Sequence, residues 1–259
     1  MDGPNQGSVT RSLRLDQQRN DWQVATEAAV EIDVNGEPVT VTMATPADLE
    51  ELALGLAYTE GVVTAVAGVT SVNVKETLEG VVVDLTVAES AINQQARRAR
   101  LLEGRSGCGL CGVDTLSAAM RRPSVVAPQT VAGPIADAAL RKAFDALPDH
   151  QPLNQRTHSV HAAAWCDLEG QILCVREDVG RHNALDKLVG WALLSQAPQG
   201  PGFVLLSSRL SFELVCKAAA LGASLLAAVS APTALALEMA ESANLPLACL
   251  GPGGAIARF

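Results

Sequence analysis

Residues 203–250 read FVLLSSRLSFELVCKAAALGASLLAAVSAPTALALEMAESANLPLACL, and this run decides the fold. Apolar runs of strand length, Phe203–Leu206, Ser224–Val229 and Leu247–Leu250, alternate with helix-length segments, Ser211–Leu221 and Thr233–Ser242. Strands joined through helices pair in parallel, so a partly parallel sheet covered by helices is expected. Ala218–Leu237 carries no charge for 20 residues. It is nevertheless a poor membrane span, because Gly222, Pro232 and three hydroxyl residues interrupt a largely alanine stretch that would insert weakly. A buried helix–strand–helix passage fits better.

Upstream, a helix is expected from Arg181 to Leu194, with Leu185, Leu188, Val189 and Ala192 on its apolar stripe. Val160–Asp167 and Gln171–Val175 read as a hairpin around Glu169-Gly170, preceded by a helix over Ile135–Ala146. Pro123, Pro128 and Pro134 mark a seam near residue 130, so residues 131–259 are expected to form one α/β lobe. Before the seam, Val30–Val34 and Val39–Met43 alternate at period two around Asn35-Gly36, a strong hairpin signal. A helix should follow, capped by Thr45, with Pro46 in its first turn, Asp48 completing a capping box, Leu49, Leu52 and Leu56 on one face, and Gly61 at its end. Thr70–Lys75 and Val81–Val87 read as a second strand pair, and Ala91–Leu102 as a helix. Residues 23–130 thus form a smaller α+β lobe, and polar, aperiodic residues 1–22 read as a flexible tail.

The 259 residues are 48% hydrophobic and 18% charged, with a net charge of −9. That apolar content excludes disorder for the bulk of the chain. The acidic total argues against nucleic-acid binding. Six cysteines in a chain of this size, with no apolar leader in Met1–Asp21, read as reduced thiols of a cytoplasmic protein that does not enter the membrane.

Two of those cysteines stand apart. Gly104-Arg-Ser-Gly-Cys-Gly-Leu-Cys-Gly112 places Cys108 and Cys111 in a loop with four flanking glycines. Between residues 97 and 122 lie six arginines against Glu103 and Asp114, a net +4, which leaves −13 on the remainder. Neighbouring cations favour a thiolate and attract anions. Three readings remain open on these residues alone: half of a zinc site completed by His158 and His161, a redox dithiol, or a thiol that carries sulfur. Cys166, Cys174, Cys216 and Cys249 lie in apolar contexts and read as inert core residues.

Three polar segments follow strands. Glu177-Asp-Val-Gly-Arg-His-Asn-Ala-Leu-Asp-Lys187 brings Arg181, His182 and Asn183 to a helix N-terminus, where free N–H groups and the helix dipole favour an anion; plain capping by Asp178 is the alternative. Lys187 lies one turn further on. Ser207, Ser208 and Arg209 suit a phosphate at the carboxyl end of a strand, or simply cap the next helix. Gly251-Pro-Gly-Gly254 would let the backbone approach a ligand, or is a frayed tail.

Together these segments resemble the formate dehydrogenase accessory sulfurtransferase family (FdhD/NarQ). The resemblance is carried by Asn35-Gly-Glu-Pro38, Thr45–Gly55, Gly104–Gly112, His161-Ala-Ala-Ala164, Glu177–Lys187, Ser207-Ser-Arg209 with Ser211-Phe-Glu213, and Ser230-Ala-Pro-Thr-Ala234. It implies a cytidine-deaminase-like α/β/α C-terminal lobe beside the smaller lobe. It implies a sulfur carrier, or sulfurtransferase, that accepts persulfide sulfur from a cysteine desulfurase on Cys108, assisted by Cys111. The sulfur would pass to the molybdenum bis-guanine-dinucleotide cofactor, bound as substrate, for delivery to formate dehydrogenase. Arg181, His182, Asn183, Ser207, Ser208, Arg209 and the stretch Leu250, Gly251, Pro252, Gly253, Gly254 and Ala255 would contact that cofactor. A homodimer is expected by similarity.

The zinc deaminases of that fold need His-x-Glu and Pro-Cys-x-x-Cys at two helix starts. Here the starts read Arg181-His182-Asn183-Ala184 and Ser207-Ser208-Arg209, so no structural or catalytic metal is expected and the pocket is open to a nucleotide. Relatives end in a Gly-Phe segment followed by basic residues; here Cys249–Ala255 has no basic residue before Arg258. They also favour glycines where this chain has His158-Ser-Val160. A thiol–disulfide oxidoreductase and a non-catalytic molybdenum-cofactor chaperone are the alternative functions.

Overall fold

The computed structural model describes residues 9–14, 21–97, 124–126, 134–197 and 200–259. Cys108 and Cys111, the glycine-rich loop around them and the seam near residue 130 lie outside the described residues. β1 (Thr10–Arg14), inside the expected tail, pairs antiparallel with β2 (Asp21–Ala25), which runs from the end of that tail into the smaller lobe.

The smaller lobe follows its alternating pattern. β3 (Ala28–Val34) and β4 (Glu37–Ala44) form the expected hairpin. Asn35 and Gly36 take φ of 55° and 73°, the left-handed pair that a two-residue primed turn needs. β5 (Val69–Glu76) and β6 (Val81–Val87) complete a four-stranded sheet in the order β4-β3-β6-β5, with β3 and β6 parallel. The Asn35 side chain clasps β6: its Nδ2 donates to the Val87 carbonyl and its Oδ1 accepts from the Val87 N–H. The next expected helix begins later than Ala91. Ile92 bridges to Val63, and helical backbone starts at Gln94, where the Asn93 side chain accepts from the N–H groups of Gln95 and Ala96.

Between the two hairpins runs α1 (Leu49–Thr59), and its start corrects the sequence reading. Thr45 does not cap it, and no capping box forms. Asp48 stands at the cap position in the left-handed region with no side-chain capping bond, its carboxylate lying 3.8 Å from Arg176 instead. Thr45 is instead drawn to the other lobe: its N–H donates to Asp178, and its hydroxyl accepts from the Val179 N–H.

The larger lobe is a six-stranded sheet with helices on both faces. Its strands are β7 (His161–Asp167), β8 (Ile172–Asp178), β9 (Gly202–Leu206), β10 (Leu226–Ala228), β11 (Leu247–Leu250) and β12 (Ile256–Arg258), in the order β12-β11-β10-β9-β7-β8. β9, β10 and β11 are parallel, joined through α5 (Phe212–Leu221) and α6 (Ala234–Ala243). Ahead of them come α2 (Asp137–Ala146), the short α3 (Pro152–Thr157) and α4 (Arg181–Ser195). Burial alternates along the strands. Ala163, Trp165, Val204, Leu206 and Leu226 face α4, α5 and α6, whereas Ala162, Ala164, Cys166, Phe203 and Leu205 face α2. β12 was not legible in the sequence; it turns back after Leu250 and pairs antiparallel with β11. The uncharged stretch from Ala218 is the end of α5, β10 and the start of α6. Among the described residues no helix is long and apolar enough to cross a membrane.

The lobes meet where α1 crosses α4. The expected single apolar face of α1 is an understatement, since six consecutive residues of it are buried: Leu52, Ala53, Leu54, Gly55, Leu56 and Ala57. One side of α1 faces the four-stranded sheet, and the other faces α4. At the crossing there is no room for side chains. A Cβ on Gly55 would lie 1.8 Å from the Asp186 carbonyl oxygen, and one on Gly190 would lie 1.9 Å from that of Glu51. Gly190→Ala is therefore expected to lower the unfolding free energy by about 3 kcal/mol or more, the upper end for overpacking. Gly36→Ala, which meets nothing within 4 Å, should cost only the roughly 1–2 kcal/mol of its left-handed backbone. Urea titration of both variants checks the contrast.

Candidate functional site

The topology gathers the expected anion-binding residues along one edge. The carboxyl ends of β8, β9, β10 and β11 and the amino end of β7 all lie there, as the pairing of His161 with Asp178 and of Ala163 with Leu206 requires. Arg181 and His182 follow β8, Ser207, Ser208 and Arg209 follow β9, Ser230–Ala234 follows β10, and Leu250–Ala255 follows β11. At about 4.8 Å between neighbouring strands, β8 and β11 stand roughly 19 Å apart, a span suited to a dinucleotide. Open α/β sheets collect ligands at this edge.

The residues divide sharply by role. Asn183 and Lys187 hold the lobes together. The Asn183 Nδ2 donates to the Met43 carbonyl and to Asp178, and its Oδ1 accepts from the Thr42 hydroxyl. Lys187 is 0% exposed; its ammonium lies 2.6 Å from Asp178 and donates to the Thr45 carbonyl. Asp178 also accepts from the Gly180 and Thr45 N–H groups. Gly180 stands at the cap position of α4 with no side-chain capping bond, so the plain-capping alternative fails and the carboxylate serves the turn and the seam. Ser207 fixes register: its Oγ accepts from the Ala162 N–H at 2.8 Å. The buried Ser208 donates to the Arg209 carbonyl. Arg209 is exposed and Arg181 half-buried.

Behind Arg181 lies a buried polar cluster that the sequence reading only half anticipates. His182 is buried, and its Nε2 stands 4.0 Å from Glu213 Oε2 on α5. Burial, then Lys217 and Arg181, push its pKa down to about 3, with Glu60 pulling the other way. Beneath it, Lys217 pairs with Asp186 at 2.9 Å and with Glu60 at 3.2 Å, and donates to the Thr59 hydroxyl. The matching stretch Ser211-Phe-Glu213 contains Glu213, but nothing in the local sequence signals that it meets His182; only the packing of α4 against α5 does.

The segment Gly251–Gly254 is an ordered turn, with Gly253 and Gly254 at φ of 66° and 76°, leading into β12. Arg258, its nearest basic residue in sequence, turns away to Asp137 and to the Ile135 carbonyl. A different cation stands beside the turn: Arg141 of α2 donates to the Gly254 carbonyl. His158 occupies the left-handed region at φ 51°, a backbone state that glycine adopts without strain.

The four described cysteines are held toward the thiol form. Burial pushes the thiols of Cys166 and Cys174 up to about 12 and that of Cys216 up to about 11, and it raises Cys249 as well. Among the described residues no three His, Cys, Asp or Glu side chains are placed to hold one metal ion.

Known proteins resemble this chain in sequence and in fold. The FdhD/NarQ family profile matches residues 25–256. A protein of Bordetella petrii named sulfur carrier protein FdhD is 46% identical over 87% of this chain and 80% of its own length. One of the same name from Cupriavidus necator is 43% identical over 96% of this chain and 85% of its own. A crystal structure from Desulfotalea psychrophila, assigned as a formate dehydrogenase accessory protein, superposes with a TM-score of 0.69 at 22% identity, covering 96% of this chain and 94% of that one. The last likeness concerns the mixed α/β fold. The chain belongs to the FdhD/NarQ family.

Two expectations follow from the site. Lys187→Met leaves the buried Asp178 carboxylate without its cation and should cost about 3–5 kcal/mol in urea unfolding. His182 titrates near 6.5 when unfolded but near 3 in the fold, so the unfolded chain binds more protons between those values. Stability conferred by a neutral His182 is therefore full above about 6.5 and falls as pH drops toward 3. Unfolding midpoints of His182→Gln should show a smaller loss on acidification than those of the parent chain.

Proposed function

We propose that this chain is a sulfur carrier that serves formate dehydrogenase maturation. The observation that carries the reading is the division of its thiols. Four cysteines are held protonated by burial, which leaves Cys108 and Cys111, in their arginine-rich sequence, as the pair available for sulfur chemistry. The names of the relatives, sulfur carrier protein FdhD, support the same role.

In this reading the Cys108 thiolate attacks the terminal sulfur of a cysteine desulfurase persulfide. The new S–S bond forms as the desulfurase cysteine leaves as thiolate, so Cys108 gains one sulfur. Cys111 assists. The second station is the edge of the six-stranded sheet, where Arg181, His182, Ser208 and Arg209 would receive the phosphates and guanine of the molybdenum bis-guanine-dinucleotide substrate. Leu250–Ala255 would supply backbone at the far end, with Arg141 as the cation that its own sequence lacks. A hairpin at one side of three parallel strands supports kinship of this lobe with the cytidine deaminase fold, with the metal-binding residues of that fold replaced. The functional unit in this reading is a cytoplasmic homodimer.

Incubation with a cysteine desulfurase and cysteine should add mass in steps of about +32 Da to the peptide containing Cys108. Cys108→Ala should abolish that adduct and fail to restore formate dehydrogenase activity in a strain lacking the protein. Restoration by Cys108→Ala would favour a chaperone that only binds the cofactor. A reversible Cys108–Cys111 disulfide that works without a desulfurase would favour an oxidoreductase.

A further inference from the structure

Two polar atoms at the sheet edge that carries Arg181 and Arg209 are sealed from solvent without a hydrogen bond: His182 Nε2 and Ser211 Oγ. Their helices, α4 and α5, begin side by side at the edge described above. His182 is 8% exposed, and Nε2 stops 4.0 Å from Glu213 Oε2, about one ångström beyond a hydrogen bond. Five groups face the imidazole: Arg181 from its own helix, Glu213 and Lys217 from α5, Glu60 from the end of α1, and His161 from β7. Lys217 is engaged with Asp186 and Glu60, and Thr59 completes that network. The pocket therefore holds a neutral histidine beside a carboxylate that it does not quite reach.

We propose that His182 and Glu213 form a proton-operated latch on the anion site: when a phosphate-bearing nucleotide enters the cleft, His182 takes up one proton from solvent and Glu213 closes onto the imidazolium. The inference rests on the cleft assignment above and adds the step by which the protein responds to its ligand. Glu213 alone does not offset burial and two nearby cations. A phosphate does. One charge about 5 Å away raises proton affinity by a few hundredfold at the effective dielectric of a protein surface. The two charges of a terminal phosphate bring a histidine held near 3 to titrate around neutrality. His182 then responds to the charge of the ligand from behind Arg181, and Glu213 is a positioning residue that acts through it.

Calorimetric titration of the full chain with GDP near neutral pH, in buffers of widely different ionisation enthalpy, measures the protons taken up. The parent chain should take up close to one proton more than His182→Gln; the difference cancels the ionisation of the phosphate itself. Relative to that variant, the affinity of the parent chain should rise by up to about tenfold for each pH unit lowered, the limit for one linked proton. Glu213→Gln should still bind GDP and take up measurably less proton than the parent chain, and it carries the test if His182→Gln does not fold. GDP binding with equal proton uptake in parent and variants overturns the latch and leaves the cleft assignment standing. Absence of GDP binding to the parent chain overturns both.

Discussion

The crossing of α1 over α4 is the contact on which the molecule depends. Backbone meets backbone at Gly55 and Gly190, and the helices leave no room for a side chain between them there. Everything on either side inherits this distance. α1 is sandwiched between the four-stranded sheet and α4, which explains why six consecutive residues of it are buried. α4 in turn presents Ala184, Leu185, Leu188 and Val189 to the six-stranded sheet. A larger residue at the crossing would separate the sheets rather than disturb one surface.

The close approach also makes a polar seam possible. Thr45, Asp178, Asn183 and Lys187 bond one another across the lobes at one end of the crossing. Thr59, Asp186 and Lys217 do so at the other. Buried charges of this kind are poor sources of stability but strict about geometry, because a shifted partner leaves an uncompensated ion. Here they fix the start of α4, and with it Arg181 and His182, relative to β9. The eleven residues Glu177–Lys187 therefore serve two ends: Asp178, Asn183 and Lys187 face inward and hold the lobes, while Arg181 stays half-exposed at the sheet edge with His182 buried behind it.

The sequence was most informative where order is local. The Asn35-Gly36 hairpin, the second strand pair and the strand–helix alternation after residue 202 all stand as the periodicity implied. It failed where a distant partner competes. Thr45 has every local mark of a helix cap, yet Asp178 and Val179, more than 130 positions away, claim both its N–H and its hydroxyl. Glycine within a helix reads as a weakness until the opposing helix is known. β12 is three residues long and gains its identity only from β11. The candidate site was legible as a set of segments that follow strands, but not as a division between residues that build the pocket and residues that face it.

The return of β12 has a practical side. It carries the backbone from the turn at Gly251–Gly254 back along β11, so that Phe259 exchanges hydrogen bonds with Leu247, at the opposite end of that strand from the turn. A four-residue strand spans about 13 Å. Any polypeptide attached after Phe259, whether an affinity handle, a fluorophore or a surface tether, would leave from the far rim of the sheet and keep the rim that carries Arg181 and Arg209 clear.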